Sequence, residues 1–205
     1  MIASLVSPPD HGKRPPGAGP SGPGSSDMGF LGMLILLASL SMLFGALLVG
    51  FVVLRLTSQQ WNQFGRMPLP PGLLLSTIVL IGASVTIEFA LRRVRDNDAS
   101  GLRRWLVATS VLGGSFVLLQ VVNWFWAVER VFPTLEHVFP ALFFLLSGVH
   151  AAHVLGGLVP MLIVTRNAFR GRYHPLYYPG VRYCAMYWHF LDVTWLLIVL
   201  ALLLR

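Results

Sequence analysis

Seven polar or ionisable residues lie within otherwise apolar stretches of this 205-residue chain, and they define its candidate chemistry: Glu88, Gln120, Asn123, His150, His153, His189 and Asp192. A spacing of three places Gln120 with Asn123, His150 with His153, and His189 with Asp192 on shared helical faces. A charge at the centre of a bilayer costs about 2.5–3.5 kcal/mol on insertion scales. Such residues therefore imply a bound group, movement of protons or ions, or hydrogen bonds within the fold.

A metal or haem site is the first interpretation. His150 or His153 facing His189 could hold one haem, and Glu88 could join a metal site. The sequence has no Glu-x-x-His pairs of the kind that build carboxylate di-metal bundles, and no helix with two histidines spaced for stacked haems. We therefore expect no catalytic residue, metal, cofactor or redox centre in the chain, and whether the chain alone has enzyme activity stays open.

Two interpretations remain. A small membrane transporter would use the polar residues as an ion or proton site, but five helices give no inverted-repeat pair. The other interpretation is a hydrogen-bonded network that joins the third, fourth and fifth helices and fixes a docking face. Such a network requires neither a bound cofactor nor a transport site, and its contacts contribute about 0.6–2 kcal/mol each. In this network we predict a hydrogen bond from Asp192 to His189, His150 or His153.

The elements that carry these residues follow from the composition, which is 55% hydrophobic and 11% charged with mean hydropathy +0.70. Soluble domains carry about 25% charged residues. Five apolar runs can each cross a hydrocarbon core of about 30 Å as a helix; they are 29–56, 71–91, 104–128, 138–165 and 182–204. The prediction is an all-α integral membrane bundle over residues 29–205, preceded by a disordered Pro/Gly-rich cytoplasmic tail over 1–28.

The net charge of +7 reflects how the chain is oriented in the membrane, because the basic residues are concentrated on one side of the predicted helices. Eleven basic residues lie on one side of the predicted helices: Lys13, Arg14, Arg92, Arg93, Arg95, Arg103, Arg104, Arg166, Arg170, Arg172 and Arg182. Four lie on the other: Arg55, Arg66, Arg130 and Arg205. Because cytoplasmic loops carry the basic excess, the N-terminus is predicted inside and the C-terminus outside. The partners of this charge are membrane lipids, and no nucleic acid is expected.

Two further features concern packing. Gly148, Ala152 and Gly156 form a stripe of small residues at spacing four, which predicts close approach of another helix. Cys184 is the only cysteine, which excludes a disulfide framework.

Three motifs together resemble a known family. They are "YWHFLDVTW" (187–195), "SGVHAAHVLGGL" (147–158) and "LGGSFVLLQVVNW" (112–124), and they resemble the last three helices of subunit III of haem–copper oxidases. The resemblance covers residues 30–205 and is to the five-helix bacterial type. Leu40 and Asn123 stand where that family carries membrane-embedded glutamates, and Ala151 replaces a glycine, which argues against a direct proton role.

The resemblance implies a non-catalytic subunit of an aerobic respiratory oxidase in the bacterial inner membrane. It implies subunit I as the main partner, subunit II as a second candidate partner, and haem and copper in those partners alone. By this resemblance, the chain would stabilise the catalytic subunit and support the proton uptake of that subunit. Bound phospholipid is compatible with the family. Its longer members have seven helices and hold lipid in a V-shaped cleft between the first two helices and the rest. An auxiliary subunit of a nitric oxide reductase remains an alternative, and the electron donor, cytochrome c or quinol, stays open.

Overall fold

A computed structural model describes residues 25–57, 70–130 and 138–203. Most of the predicted disordered tail, residues 1–24, lies outside the described residues. Ser25 to Met28 already belong to the first helix, so this helix begins four residues before its predicted start at 29.

Five helices make up the described fold: α1 Ser25–Thr57, α2 Gly72–Arg95, α3 Ala99–Arg130, α4 Val138–Phe169 and α5 Pro179–Leu203. Each contains a stretch long and apolar enough to cross a membrane. The prediction of an all-α, five-helix membrane protein is therefore confirmed. Most helices extend a few residues beyond the predicted runs, because arginine and other polar residues are good helix formers that an apolar pattern does not detect.

The turn between α2 and α3 shows how one such extension arises. The carboxylate of Asp98 accepts hydrogen bonds from the Gly101 backbone N–H and the Ser100 hydroxyl, both at 2.8 Å, and it lies 3.5 Å from Arg93. These hydrogen bonds, with the nearby positive charge, hold the pKa of Asp98 below its usual range. Asp98 thus caps α3, which begins at Ala99, five residues before the predicted start at 104.

The helices α2 to α5 form a bundle, and α1 packs on its outside. The most extensive contact joins α2 to α3; α4 packs on α3 and α5, and α5 also packs on α2. Helix α1 contacts α5 and, more weakly, α4. The largest fully buried side chains include Phe116 of α3 and both Trp188 and Trp195 of α5. The core therefore lies among the four helices α2, α3, α4 and α5.

The predicted small-residue stripe does not pack a helix in the described residues. A Cβ added at Gly148 or Gly156 would meet nothing within 4 Å, and Ala152 is exposed. The close approaches occur instead at Gly113 of α3, where a Cβ would collide with Trp188, and at Gly157 of α4, where it would lie 2.5 Å from Tyr187. Spacing shows that residues share a face without showing where that face points, so close approach of another helix at this stripe stays a prediction.

Candidate functional site

The structure divides the seven polar residues among three places. Glu88, His189 and Asp192 line a shallow recess on the outer surface of α2 and α5. Gln120, Asn123 and His150 are buried in the bundle, with 0%, 4% and 0% of their surfaces exposed. The seventh residue, His153, lines a crevice beside α1. The polar residues thus do not form one network across the third, fourth and fifth helices.

A chain of polar contacts runs along the recess. The Ser84 hydroxyl oxygen lies 2.7 Å from Nδ1 of His189, and Nε2 of His189 lies 3.8 Å from Oε2 of Glu88. The other Glu88 oxygen lies 3.6 Å from Nε of Arg92. Ser84, Glu88 and Arg92 share a face of α2 because they are spaced by four. The contacts therefore follow one stripe of α2, with α5 supplying the histidine.

Asp192 completes the recess from α5. It lies beside Ser84 and His189, and its Oδ1 is buried without a hydrogen-bond partner in the described part of the chain. The sequence analysis expected Asp192 to bond His189, His150 or His153. In the structure its polar neighbours are Ser84 and His189, whereas His150 and His153 contact other groups.

Antiparallel packing of α2 and α5 sets the register of these contacts. The indole N–H of Trp195 donates to the Thr77 hydroxyl at 3.0 Å, and Arg95 donates to the Tyr178 hydroxyl at 3.4 Å. The contact between Ser84 and His189 lies between these two. Both of its residues are about 15–17 Å along their helices from the end that carries Arg95 and Pro179, at a rise of 1.5 Å per residue. The recess is therefore near the middle of the helices.

His150 has an aromatic environment. Its ring lies 5.0 Å from that of Trp195 and 5.7 Å from that of Phe116, and Phe44 approaches it edge-on at 6.1 Å. Neither imidazole nitrogen has a hydrogen-bond partner among the described residues, and the same holds for the Gln120 amide. These two residues are packed as parts of the core.

His153 connects helices through its backbone. Its Nδ1 lies 2.7 Å from the Val149 carbonyl oxygen of its own helix, and its own carbonyl accepts a hydrogen bond of 3.0 Å from Tyr187 of α5. Its ring contacts Phe44 of α1 at 5.1 Å. His153 therefore lies where α1, α4 and α5 meet, at a crevice of about 440 Å³.

Over residues 25–57, 70–130 and 138–203, no group of three or more His, Cys, Asp or Glu side chains could hold a metal ion. His150 contacts Phe116 and Trp195, while His189 contacts Ser84 and Glu88. The two rings thus have different neighbours, which does not support a shared haem between them.

Sequence reasoning missed several residues that hold the helices together. Ser84 contacts His189, and Thr77 accepts a hydrogen bond from Trp195. In addition, the Trp124 indole of α3 donates to Ser147 of α4 at 3.0 Å. Small hydroxyl side chains are common in transmembrane helices, where they often bond only their own backbone. The spacing of Ser84 four positions before Glu88 was the available signal.

Five apolar helices, with polar side chains that bond between helices, define a multi-pass membrane protein. A family model described as cytochrome c oxidase subunit III matches residues 26–204. The chain therefore belongs to the cytochrome c oxidase subunit III family, and it is a membrane subunit III of a haem–copper oxidase.

Individual relatives agree with this assignment. The chain is 30% identical over 169 residues to cytochrome c oxidase subunit 3 of Corynebacterium diphtheriae, covering 81% of this chain and 82% of that protein. It is 29% identical over 176 residues to cytochrome c oxidase subunit 3 of Thermostichus vulcanus, covering 84% and 85%. It is 29% identical over 179 residues to that of Synechocystis, covering 85% and 75%. The described helices thus belong to a subunit of a multi-subunit oxidase.

Proposed function

We propose that the chain docks on subunit I of its oxidase in a bacterial inner membrane, with subunit II as a second contact. Haem and copper belong to those partners in this proposal. The chain stabilises the catalytic subunit during O2 reduction and supports its proton uptake. The observation that supports this role is the recess of α2 and α5, because side chains such as Glu88 and His189 remain 40% and 45% exposed at membrane depth. A bilayer does not solvate such groups well, whereas a protein partner can.

Depletion and reconstitution test the proposed role. The oxidase would be purified in mild detergent with a tag on subunit I, then compared with the same complex after this chain is removed and after it is added back. We expect equal initial rates of O2 reduction, with activity lost over fewer turnovers in the depleted complex and regained on reconstitution. Equal lifetimes of both complexes would contradict a stabilising role. Failure of the chain to co-purify with haem would contradict membership of that complex.

A bound phospholipid is proposed for the crevice between α1 and the bundle. The crevice is lined mainly by apolar groups, including Leu36, Leu40 and Trp188. Tyr183 lines both this crevice and a neighbouring recess that contains Arg182. The Arg182 guanidinium lies 5.0 Å above the Phe30 ring and is a suitable partner for a lipid phosphate. An acyl chain would then fill the crevice below it.

Lipid extraction with mass spectrometry tests this site. Arg182→Gln should reduce the phospholipid that remains with the purified complex, because it removes the cation but keeps most of the side-chain volume. Arg170→Gln is the control, since Arg170 lies in the same basic region but outside both cavities. Equal phospholipid content in the two variants would contradict the proposed site.

A further inference from the structure

The described acidic residues are unevenly distributed along the helices. Asp27 and Glu129 lie within one turn of a helix end, and Asp96 and Asp98 lie between α2 and α3. Only Glu88 and Asp192, among the residues that the structure describes, are carboxylates farther than one turn from the ends of α1 to α5. Both line the same recess of about 380 Å³. The recess therefore concentrates the acidic groups that lie at membrane depth.

The hydrogen bonding of these carboxylates is incomplete. The two Glu88 oxygens lie 3.6 Å from Arg92 and 3.8 Å from His189, distances longer than a well-formed N–H···O hydrogen bond. Oδ1 of Asp192 has no hydrogen-bond partner in the described residues. The recess thus has an excess of acceptors. With a neutral His189, its formal charges are Glu88, Asp192 and Arg92, which sum to −1.

The outward faces of other helices differ from the recess. The exposed large side chains of α3 include Val111, Leu118 and Phe125, and those of α4 include Val159 and Leu162. Acyl chains can cover such apolar faces without cost in hydrogen bonds. The recess has exposed apolar neighbours too, Val85 and Val193, but its centre requires donors. Such a centre is better covered by a side chain that carries hydrogen-bond donors than by an acyl chain.

We propose that the recess formed by Ser84, Glu88, Arg92, His189 and Asp192 is the contact site for a transmembrane helix of the catalytic subunit, which places a basic side chain opposite Glu88 and Asp192. One Lys or Arg there donates to the exposed Glu88 carboxylate, whose oxygens are only 3.6 Å and 3.8 Å from Arg92 and His189, and brings the formal charge of the contact to zero. This inference rests on the proposed docking on subunit I and names the face and the chemistry that perform it. Charged pairs that are desolvated in a contact of this kind also select the correct partner.

Site-specific crosslinking in native membranes tests the face. Val85→Cys and Val111→Cys, each in a Cys184→Ser background, would carry a benzophenone maleimide. Val85 lines the recess on α2, and its matched control Val111 is on α3; their exposed fractions are 48% and 61%. Both are about 15–18 Å from the helix end at the α2–α3 turn. We expect an adduct between this chain and the catalytic subunit from position 85 and none from position 111.

The outcomes separate the inference from the proposed function. An adduct with the catalytic subunit from position 111 and none from position 85 would overturn the inference while leaving docking intact. An adduct from position 85 with a second copy of this chain, or with lipid alone, would also overturn it. Absence of the catalytic subunit from the purified complex of the unmodified chain would contradict the proposed function itself.

Charge-removing variants test the chemistry of the contact. The double variant Glu88→Gln and Asp192→Asn keeps the shapes of both side chains but removes both negative charges. We expect this chain to dissociate from the complex in detergent about tenfold faster, because hydrogen bonds to charged groups contribute more than neutral ones. Glu129→Gln, at the end of α3, is the matched control and should leave the rate unchanged. Equal dissociation rates for the double variant and the unmodified chain would exclude a basic partner at the recess.

Discussion

The Ser84 hydroxyl and the His189 imidazole, separated by 105 residues in sequence, lie 2.7 Å apart across the interface of α2 and α5. This contact orients the His189 ring, so that its second nitrogen faces Glu88 at 3.8 Å. It therefore organises the whole recess. The side chain of Ser84 is buried, so its contribution to stability is separable from that of the exposed charges.

Ser84→Ala should destabilise the packing of α2 on α5. The substitution removes the hydroxyl and leaves Nδ1 of His189 without that partner, with an expected loss of about 1–3 kcal/mol. Unfolding of the chain in detergent, followed by the fluorescence of its tryptophans, measures this loss. Ser41→Ala is the control, because Ser41 is exposed and bonds only the Leu37 carbonyl of its own helix. Equal losses from the two substitutions would contradict the role of the contact.

Asp192→Leu should weaken retention of this chain in the oxidase by removing the carboxylate that lies beside Ser84 and His189. We expect a loss of about 1–3 kcal/mol, with O2 reduction that starts normally and then decays during turnover. Asp192→Asn should be milder, since an amide keeps hydrogen-bonding capacity. Size-exclusion chromatography and a turnover assay on the same samples measure both effects. Immediate loss of turnover in Asp192→Asn with the subunit still bound would identify Asp192 as a proton carrier.

Gly113→Ala should destabilise the bundle, because the added methyl group would collide with the Trp188 ring. Overpacking of this kind costs about 1–3 kcal/mol. Gly114→Ala is the adjacent control: its Cβ would meet nothing within 4 Å, and alanine favours a helix over glycine by up to about 1 kcal/mol. Opposite shifts in the midpoint of thermal unfolding are expected. A matching shift in both variants would show that Trp188 does not approach Gly113 closely.

Asp98→Ala should destabilise the α2–α3 turn at neutral pH and lose this effect in acid. The pKa of Asp98 is lower in the folded protein than its ordinary value, chiefly through the Gly101 hydrogen bond. Its contribution to stability is therefore complete above the ordinary carboxyl range and disappears as the pH falls through the folded pKa. Thermal midpoints of variant and unmodified chain should converge in acid. Asp98→Asn should keep the cap at neutral pH.

The orientation in the membrane remains a prediction from the basic residues. Ser100→Cys and Ser58→Cys would be introduced separately in a Cys184→Ser background and exposed to a membrane-impermeant maleimide in intact cells. We expect labelling at 58 and protection at 100, because the arginine-rich loops should face the cytoplasm. Labelling at 100 together with protection at 58 would reverse the topology.

The sequence by itself determined the helices and the family. A transmembrane segment satisfies its backbone hydrogen bonds internally, so an apolar run of sufficient length predicts a helix without knowledge of its neighbours. The stretch from Tyr187 to Trp195 carried the resemblance to subunit III, which the match over residues 26–204 then confirmed. Both results depend on residues that are close together in the chain.

Only the tertiary structure decided which faces meet. In a membrane, apolar side chains are suitable both for the core and for lipid, so hydrophobicity cannot show that Gly148 faces outward while Gly113 approaches Trp188. For the same reason spacing paired His189 with Asp192 but did not bring in Ser84, which belongs to a distant helix. Rotation of each helix about its axis, set by packing with its neighbours, placed His150 among aromatic rings and His189 in the recess.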